Sequence, residues 1–286
     1  MSVLIAVLLA AETVLVMPLA RRGDAPPASG VAVAEAILDV VVQTNQDRFL
    51  TLQQLAAELR RRDLRLDDSA ISGHALDLAR ALGATEVVDG EVSLHEGQWR
   101  IEARRLKVAD SRQTGIAREE GSRGALPALA YKAGLDLFPV HLNPGPLTGS
   151  AAALEQAALC ELQLARQPLR AKEEFVLPED RLASAQRACR AALQADSRLG
   201  LARAGLALTL AVRGRLVSGR KQAKRAQAGR FVPLAVLAEA FASEKAGDMA
   251  GWRSALQAGV DARPGFLHAA GYLAETQVVQ GERATH

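Results

Sequence analysis

The residues able to do chemistry are few, and their spacings argue against catalysis. Gly214 to Lys221 (GRLVSGRK) approaches the phosphate-binding pattern G-x-x-x-x-G-K-[ST], in which backbone amides and a lysine hold phosphates and a hydroxyl binds magnesium. Here Arg220 takes the lysine position, Lys221 takes the hydroxyl position, and the preceding residues are helical in period, so a turn between helices is expected. The histidines His74, His95, His141, His268 and His286 never recur at a spacing that places two ligands on one helix face. Ser72 sits in ISGH rather than a G-x-S-x-G elbow and reads as a helix cap. Asp67 and Asp68 are neighbours on a loop, where solvation or capping is expected rather than acid–base work. No catalytic, metal-binding or cofactor-binding residue is assigned, and neither an enzyme activity, a cofactor nor a small-molecule substrate is expected.

What remains is charge. Between Asp196 and Glu239 there is no acidic residue, while nine cations occur: Arg198, Arg203, Arg213, Arg215, Arg220, Lys221, Lys224, Arg225 and Arg230. With a net charge of +3 for the whole chain, the rest is net negative. Arg213 and Arg215 flank Gly214, and Arg220, Lys224 and Gln227 recur at helical spacing, so a cationic strip is expected along one helix edge and its turn. Arg213, Arg215, Arg220, Lys221, Lys224 and Arg225 are the candidate protein-binding residues, for an acidic partner. A solvated helix face or an anionic lipid surface would use the same residues. Nucleic acid is disfavoured, because Phe231 is the one aromatic of the stretch and no nucleic-acid motif is present. Trp99 and Trp252 are the aromatic anchor candidates, with core packing favoured for Trp252.

These residues need a scaffold, and 286 residues suffice for one large or two ordinary domains. Apolar residues at 49% and charged residues at 23% exclude wholesale disorder and a multi-spanning membrane protein. The basic residues are 29 Arg against 6 Lys, a bias that reads as composition rather than nucleic-acid design. Cys160 and Cys189 lack zinc or C-x-x-C spacing, and buried thiols are favoured over a disulfide. Val3 to Ala11 (VLIAVLLAA) ends in small residues like the apolar part of a secretory signal but lacks a positive leader; residues 1–12 are read as a clipped signal segment, with a buried element of the fold as the alternative.

Thr13 to Leu19 predicts a first strand, and a Gly/Pro/Ser loop follows. Helices are expected from Ser29 to Asn45, from Leu52 to Arg62 and from Ser72 to Leu82, with a short strand at Phe49, Leu50 and Leu52. Glu86 to Leu94, Gln98 to Val108 and Thr114 to Arg118 predict a meander, turning at His95 to Gly97 and bulged near Arg104 or Arg105; a helix closes it at Leu126 to Phe138. Pro139 to Gly149 holds three prolines and two glycines and marks a linker. Beyond Ser150 strand patterns vanish, and Gly214, Gly247 and Gly281 fall 33 and 34 residues apart, as in stacked helical hairpins. The fold class is therefore α+β, a mixed sheet with packed helices followed by an all-α helical-repeat domain.

The first strand TVLVMPL and the block Ala75 to Gly115, with Gly83, Ala84, Gly90, Gly97 and Gly115 at its turns, resemble the TolB N-terminal-type domain shared with CsgG-like and FlgO-like proteins. Residues 150–286 resemble tetratricopeptide repeats, with departures at Gly219, Glu239 and Trp252 and an inserted loop from Gln167 to Glu179. The resemblance implies a TolB-like domain over 13–138, a linker over 139–149 and repeats over 150–286. It also implies a non-enzymatic envelope accessory or assembly scaffold, periplasmic or envelope-associated. A cytoplasmic regulatory or signalling adaptor is the alternative.

Overall fold

The computed structural model describes residues 12–44, 48–138, 144–165, 167–170 and 177–284. The signal segment expected over residues 1–12 lies almost wholly outside them, as do His141, His286 and the start of the linker. The architecture is a mixed α/β domain followed by an all-helical region. The first half runs β1 (Thr13–Val16), β2 (Ala20–Gly23), α1 (Ser29–Thr44), β3 (Arg48–Leu50), α2 (Leu52–Arg61), a 3-10 turn at Ser69–His74, and α3 (Ala75–Ala81). It continues through β4 (Glu86–His95), β5 (Gln98–Lys107), β6 (Gln113–Ser122) and α4 (Leu126–Leu137). The second half is α5 (Ala151–Leu164), α6 (Glu179–Ala195), α7 (Gly200–Val212), α8 (Leu216–Ala226), α9 (Pro233–Lys245), α10 (Met249–Ala262) and α11 (Leu267–Ala284).

The strands lie in the order β3-β1-β4-β5-β6, with β1 parallel to both neighbours and the β4–β5–β6 meander antiparallel. β1 is buried along its whole length, as a strand covered on both faces must be. β5 instead alternates, placing Trp99, Ile101 and Ala103 inward and charged residues outward. The register shifts between Arg105 and Leu106, which brings Leu106 to the buried face despite its even number. Pro18 has no amide to donate, so the expected strand to Leu19 is broken; the chain resumes as β2 alongside the second half of β4. β2 (ARRG) lies where a loop was expected, and its hydrophilic, mostly exposed residues give no strand signal. Ser72 falls inside the 3-10 turn, and α3 begins three residues later with His74 at its N-cap position.

α1 is the central element. Its sequence VAVAEAILDVVV is apolar nearly all round, the pattern of a helix buried on several sides. It packs against the sheet, α4 and α5 together. The two halves thus share one apolar core, and polar contacts cross the seam between them. Arg230 Nε donates to Asp39 Oδ1 at 2.9 Å, Gln43 Nε2 to the Phe231 carbonyl at 2.9 Å, and Arg263 Nε to the Val42 carbonyl at 2.8 Å. Phe49 stacks on Phe266 with ring centroids 5.5 Å apart, and its amide donates to the Gly265 carbonyl, so the stretch before α11 covers the β3 edge of the sheet.

Cys160 on α5 and Cys189 on α6 form a disulfide with Cα atoms 5.3 Å apart, which corrects the expectation of two buried thiols. The helices are antiparallel neighbours, and no residue spacing in a sequence reveals which rungs of such a pair face each other. α7 crosses this bridge at Gly205, where a Cβ would stand 2.7 Å from each sulfur. Trp99 and Trp252 are both fully buried, so neither is an exposed anchor. Trp252 is covered by Arg170 from the inserted loop, whose guanidinium lies 5.0 Å from the indole and pairs with Glu244 at 3.0 Å and Glu275 at 2.8 Å.

Candidate functional site

The cationic strip is built on the turn between α7 and α8. Gly214 closes α7 with φ +80° and Arg215 N donates back to the Leu210 carbonyl at 2.9 Å, a left-handed helix end that favours glycine. The phosphate-loop string is therefore a helix–turn–helix segment, without the strand that such a loop requires. On α8 the small residues Gly219, Ala223 and Ala226 face inward. Four of the six candidate cations, Arg215, Lys221, Lys224 and Arg225, are exposed, and Val217 beside them is 76% exposed.

The six do not act alike. Arg213 is held by Gln186 and Glu179 of α6. Arg220 Nη1 lies 3.1 Å from Asp248 Oδ2 at the start of α10, and Lys224 Nζ lies 3.7 Å from Glu239 Oε1 on α9. Burial raises the Glu239 carboxyl, with Lys224 opposing. Three cations thus tie α8 and its turn to their neighbours. The side chains of Arg215, Lys221 and Arg225 make no hydrogen bond or ion pair among the described residues, and they are the charges left for a partner.

A second polar centre, absent from the sequence expectations, lies in the seam. Glu35 of α1 and Glu161 of α5 line the same small cavity, and Glu161 Oε2 is buried with no hydrogen-bond partner among the described residues, so ionising both acids there is costly. Gln53 Nε2 donates to Glu161 Oε1 at 2.5 Å. Burial pushes the Glu161 carboxyl up to about 7, against the hydrogen bond from Gln53. Burial, then the charge of Glu161, raises Glu35 well above the usual carboxylate range. Asp39 is also raised by burial, opposed by Arg230. The adjoining cavity measures about 30 Å³, room for a water rather than a larger ligand. Deeper in the seam, His268 Nδ1 lies 3.0 Å from Thr51 Oγ1, and burial lowers its imidazole to about 3, keeping it neutral. The available signal was the pair Glu35 and Asp39, four apart inside an apolar helix.

Among the described residues, no three His, Cys, Asp or Glu side chains gather as metal ligands, and no helix is long and apolar enough to cross a membrane. Asp67 is paired with Arg65 at 2.9 Å on the loop before the 3-10 turn.

No family model matches the chain, and no curated protein matches it. Among solved structures, it is similar to the LpoB C-terminal domain from Salmonella enterica, at 16% identity and a TM-score of 0.33. It is also similar to the LpoB C-terminal domain from Escherichia coli, at 17% identity and a TM-score of 0.34. Each match covers 39% of this chain and 83% of the other. A likeness of this degree carries no function across. These findings correct the family expectation: the matched structures are neither TolB- or CsgG-type domains nor tetratricopeptide arrays. The physical reason is that turn glycines report turns, not families. Gly83 and Gly97 have positive φ, as any helix–strand and hairpin turn can require. Gly214 and Gly247 each follow a helix, α7 and α9, but Gly281 lies inside α11, so the third member of the period is no stop.

Proposed function

We propose that this protein is a non-enzymatic accessory or assembly protein of the cell envelope that binds an acidic protein partner along α8. The observation that carries the reading is the group of exposed, unengaged cations Arg215, Lys221 and Arg225 around the exposed Val217. Like charges held close together repel, and a complementary acidic surface relieves this better than scattered counter-ions. The buried Cys160–Cys189 disulfide supports an oxidising compartment over the cytoplasmic adaptor alternative.

Reversing Lys221 and Arg225 together to Glu tests the strip without breaking the Arg220–Asp248 and Lys224–Glu239 contacts. Partner capture from envelope extract is expected to fall with the reversal and with rising salt, since screening shortens to about 8 Å near physiological ionic strength. The neutral pair Lys221→Gln and Arg225→Gln should give an intermediate loss, and circular dichroism should show intact helices. Unchanged capture by the folded reversal variant returns the strip to a solvated face.

The same reading divides the chain into an α/β domain over 13–138, a linker over 139–149 and a helical domain over 150–286. Limited proteolysis is expected to cut first within 139–149, and the two fragments should stay associated through the seam. Stable fragments ending inside Glu86–Lys107 would place the boundary elsewhere.

A further inference from the structure

We propose that the concavity between α6 and the α7–α8 turn is a carboxylate-binding site that takes an acidic, extended peptide segment of a partner protein. This deepens the reading above by naming what is recognised, and it uses residues separate from Lys221 and Arg225. The concavity measures about 600 Å³ and is lined by Glu179, Gln186, Arg190, Leu210, Arg213 and Arg215. Three guanidinium groups therefore share one depression, drawn from α6, the end of α7 and the start of α8.

Their states differ in a way that favours an anion. Arg213 is fixed by Gln186 Oε1 at one terminal nitrogen and by Glu179 Oε1 at the other. Its Nε is buried with no acceptor, and an unsatisfied buried donor is costly. Glu179, the one acid of the lining, is already neutralised by Arg213. Arg190 and Arg215 are exposed and have no acceptor among the described residues. The site thus offers two uncompensated planar cations, held beside the fixed Arg213 over Leu210 as an apolar patch of wall.

Guanidinium forks match carboxylates in paired, parallel hydrogen bonds, so two free arginines suit two carboxylate side chains. The volume far exceeds one small anion and falls within the range of about 300–1,000 Å³ that holds a larger ligand. No aromatic side chain lines the depression for stacking a base, and Leu210 is buried rather than raised toward a bilayer. A segment of Asp or Glu residues in extended conformation fits these features together.

The test uses the full chain and a fluorescently labelled hexaglutamate peptide, read by anisotropy at low salt. Arg190→Glu with Arg215→Glu is expected to weaken binding roughly tenfold or more. Arg48→Glu with Arg253→Glu, exposed residues outside this surface whose reversal changes net charge equally, should weaken it much less. Arg215 directly precedes α8, where an acidic side chain suits the helix dipole, so that reversal should not unfold the helix. Arg190→Gln with Arg215→Gln gives a second, milder reading, and circular dichroism checks each variant. A hexaglutamine peptide should not bind. Equal weakening by the two charge-matched pairs, parental affinity in the Arg190/Arg215 variant, or binding to phosphatidylglycerol vesicles in place of the peptide would each overturn the assignment.

Discussion

Replacing Glu161 by Gln is expected to stabilise the protein at pH 8 and to remove one component of its pH dependence. Burial holds the Glu161 carboxyl up to about 7, against an ordinary value of 4.5 in the unfolded chain. Between those two values the unfolded chain has released a proton that the native chain keeps, so stability present at low pH is lost as pH rises. The loss is on the order of 3 kcal/mol if the whole interval is realised. Above it, Glu35 and Glu161 repel each other inside the seam. Glutamine keeps a carbonyl to accept from Gln53 and brings no charge into the buried site beside Glu35. His268 acts in the opposite sense, because its lowered value means that stability is lost as pH falls from 6.5 toward about 3. The quantity to measure is therefore the difference in urea-unfolding free energy between variant and parent, from pH 4 to pH 9. It should change in the variant's favour from about pH 4.5 upward, most of the gain appearing by pH 8. A variant destabilised equally at every pH would mean that burial does not raise the Glu161 carboxyl.

Removing the Cys160–Cys189 bridge should cost a comparable amount. The disulfide closes a loop between residues 29 apart, and chain-entropy arithmetic for such a loop gives about 3–4 kcal/mol. Cys160→Ser with Cys189→Ser, or full reduction of the parent, should lower the urea midpoint accordingly. Gly205 adds a coupled prediction. Its missing Cβ would press on both sulfurs at 2.7 Å, so Gly205→Ala should be strongly destabilising with the bridge intact and less so without it. Additive effects of the three substitutions, or a midpoint unmoved by reductant, would contradict this packing.

How far the molecule was legible follows from the kind of signal each part leaves. The apolar period from Ser29 and the glycine-flanked meander from Glu86 gave α1, β4, β5 and β6 because burial on one or two faces imposes a repeat. β2 was hidden because Arg21 and Arg22 are exposed on a short strand and bury nothing. The disulfide and the Glu35–Glu161 pair were hidden because each joins separate elements, and a sequence read along the chain carries no such register. The six cations were visible as a run, yet only their partners divide them: Asp248, Glu239 and Glu179 lie on neighbouring helices, beyond reach of a count of local charges. The 33-residue glycine spacing was real at Gly214 and Gly247, but a shared turn geometry does not define a family.

Fractionation of native protein with thiol trapping tests envelope residence, on which the proposed role depends, most directly. Cells are opened into an alkylating agent, fractions are separated, and the intact chain is weighed before and after reduction. The expected result is recovery in the envelope or periplasmic fraction with Cys160 and Cys189 unmodified until reductant is added, after which both take up the label. Recovery in the cytoplasm with both thiols labelled at once would contradict it.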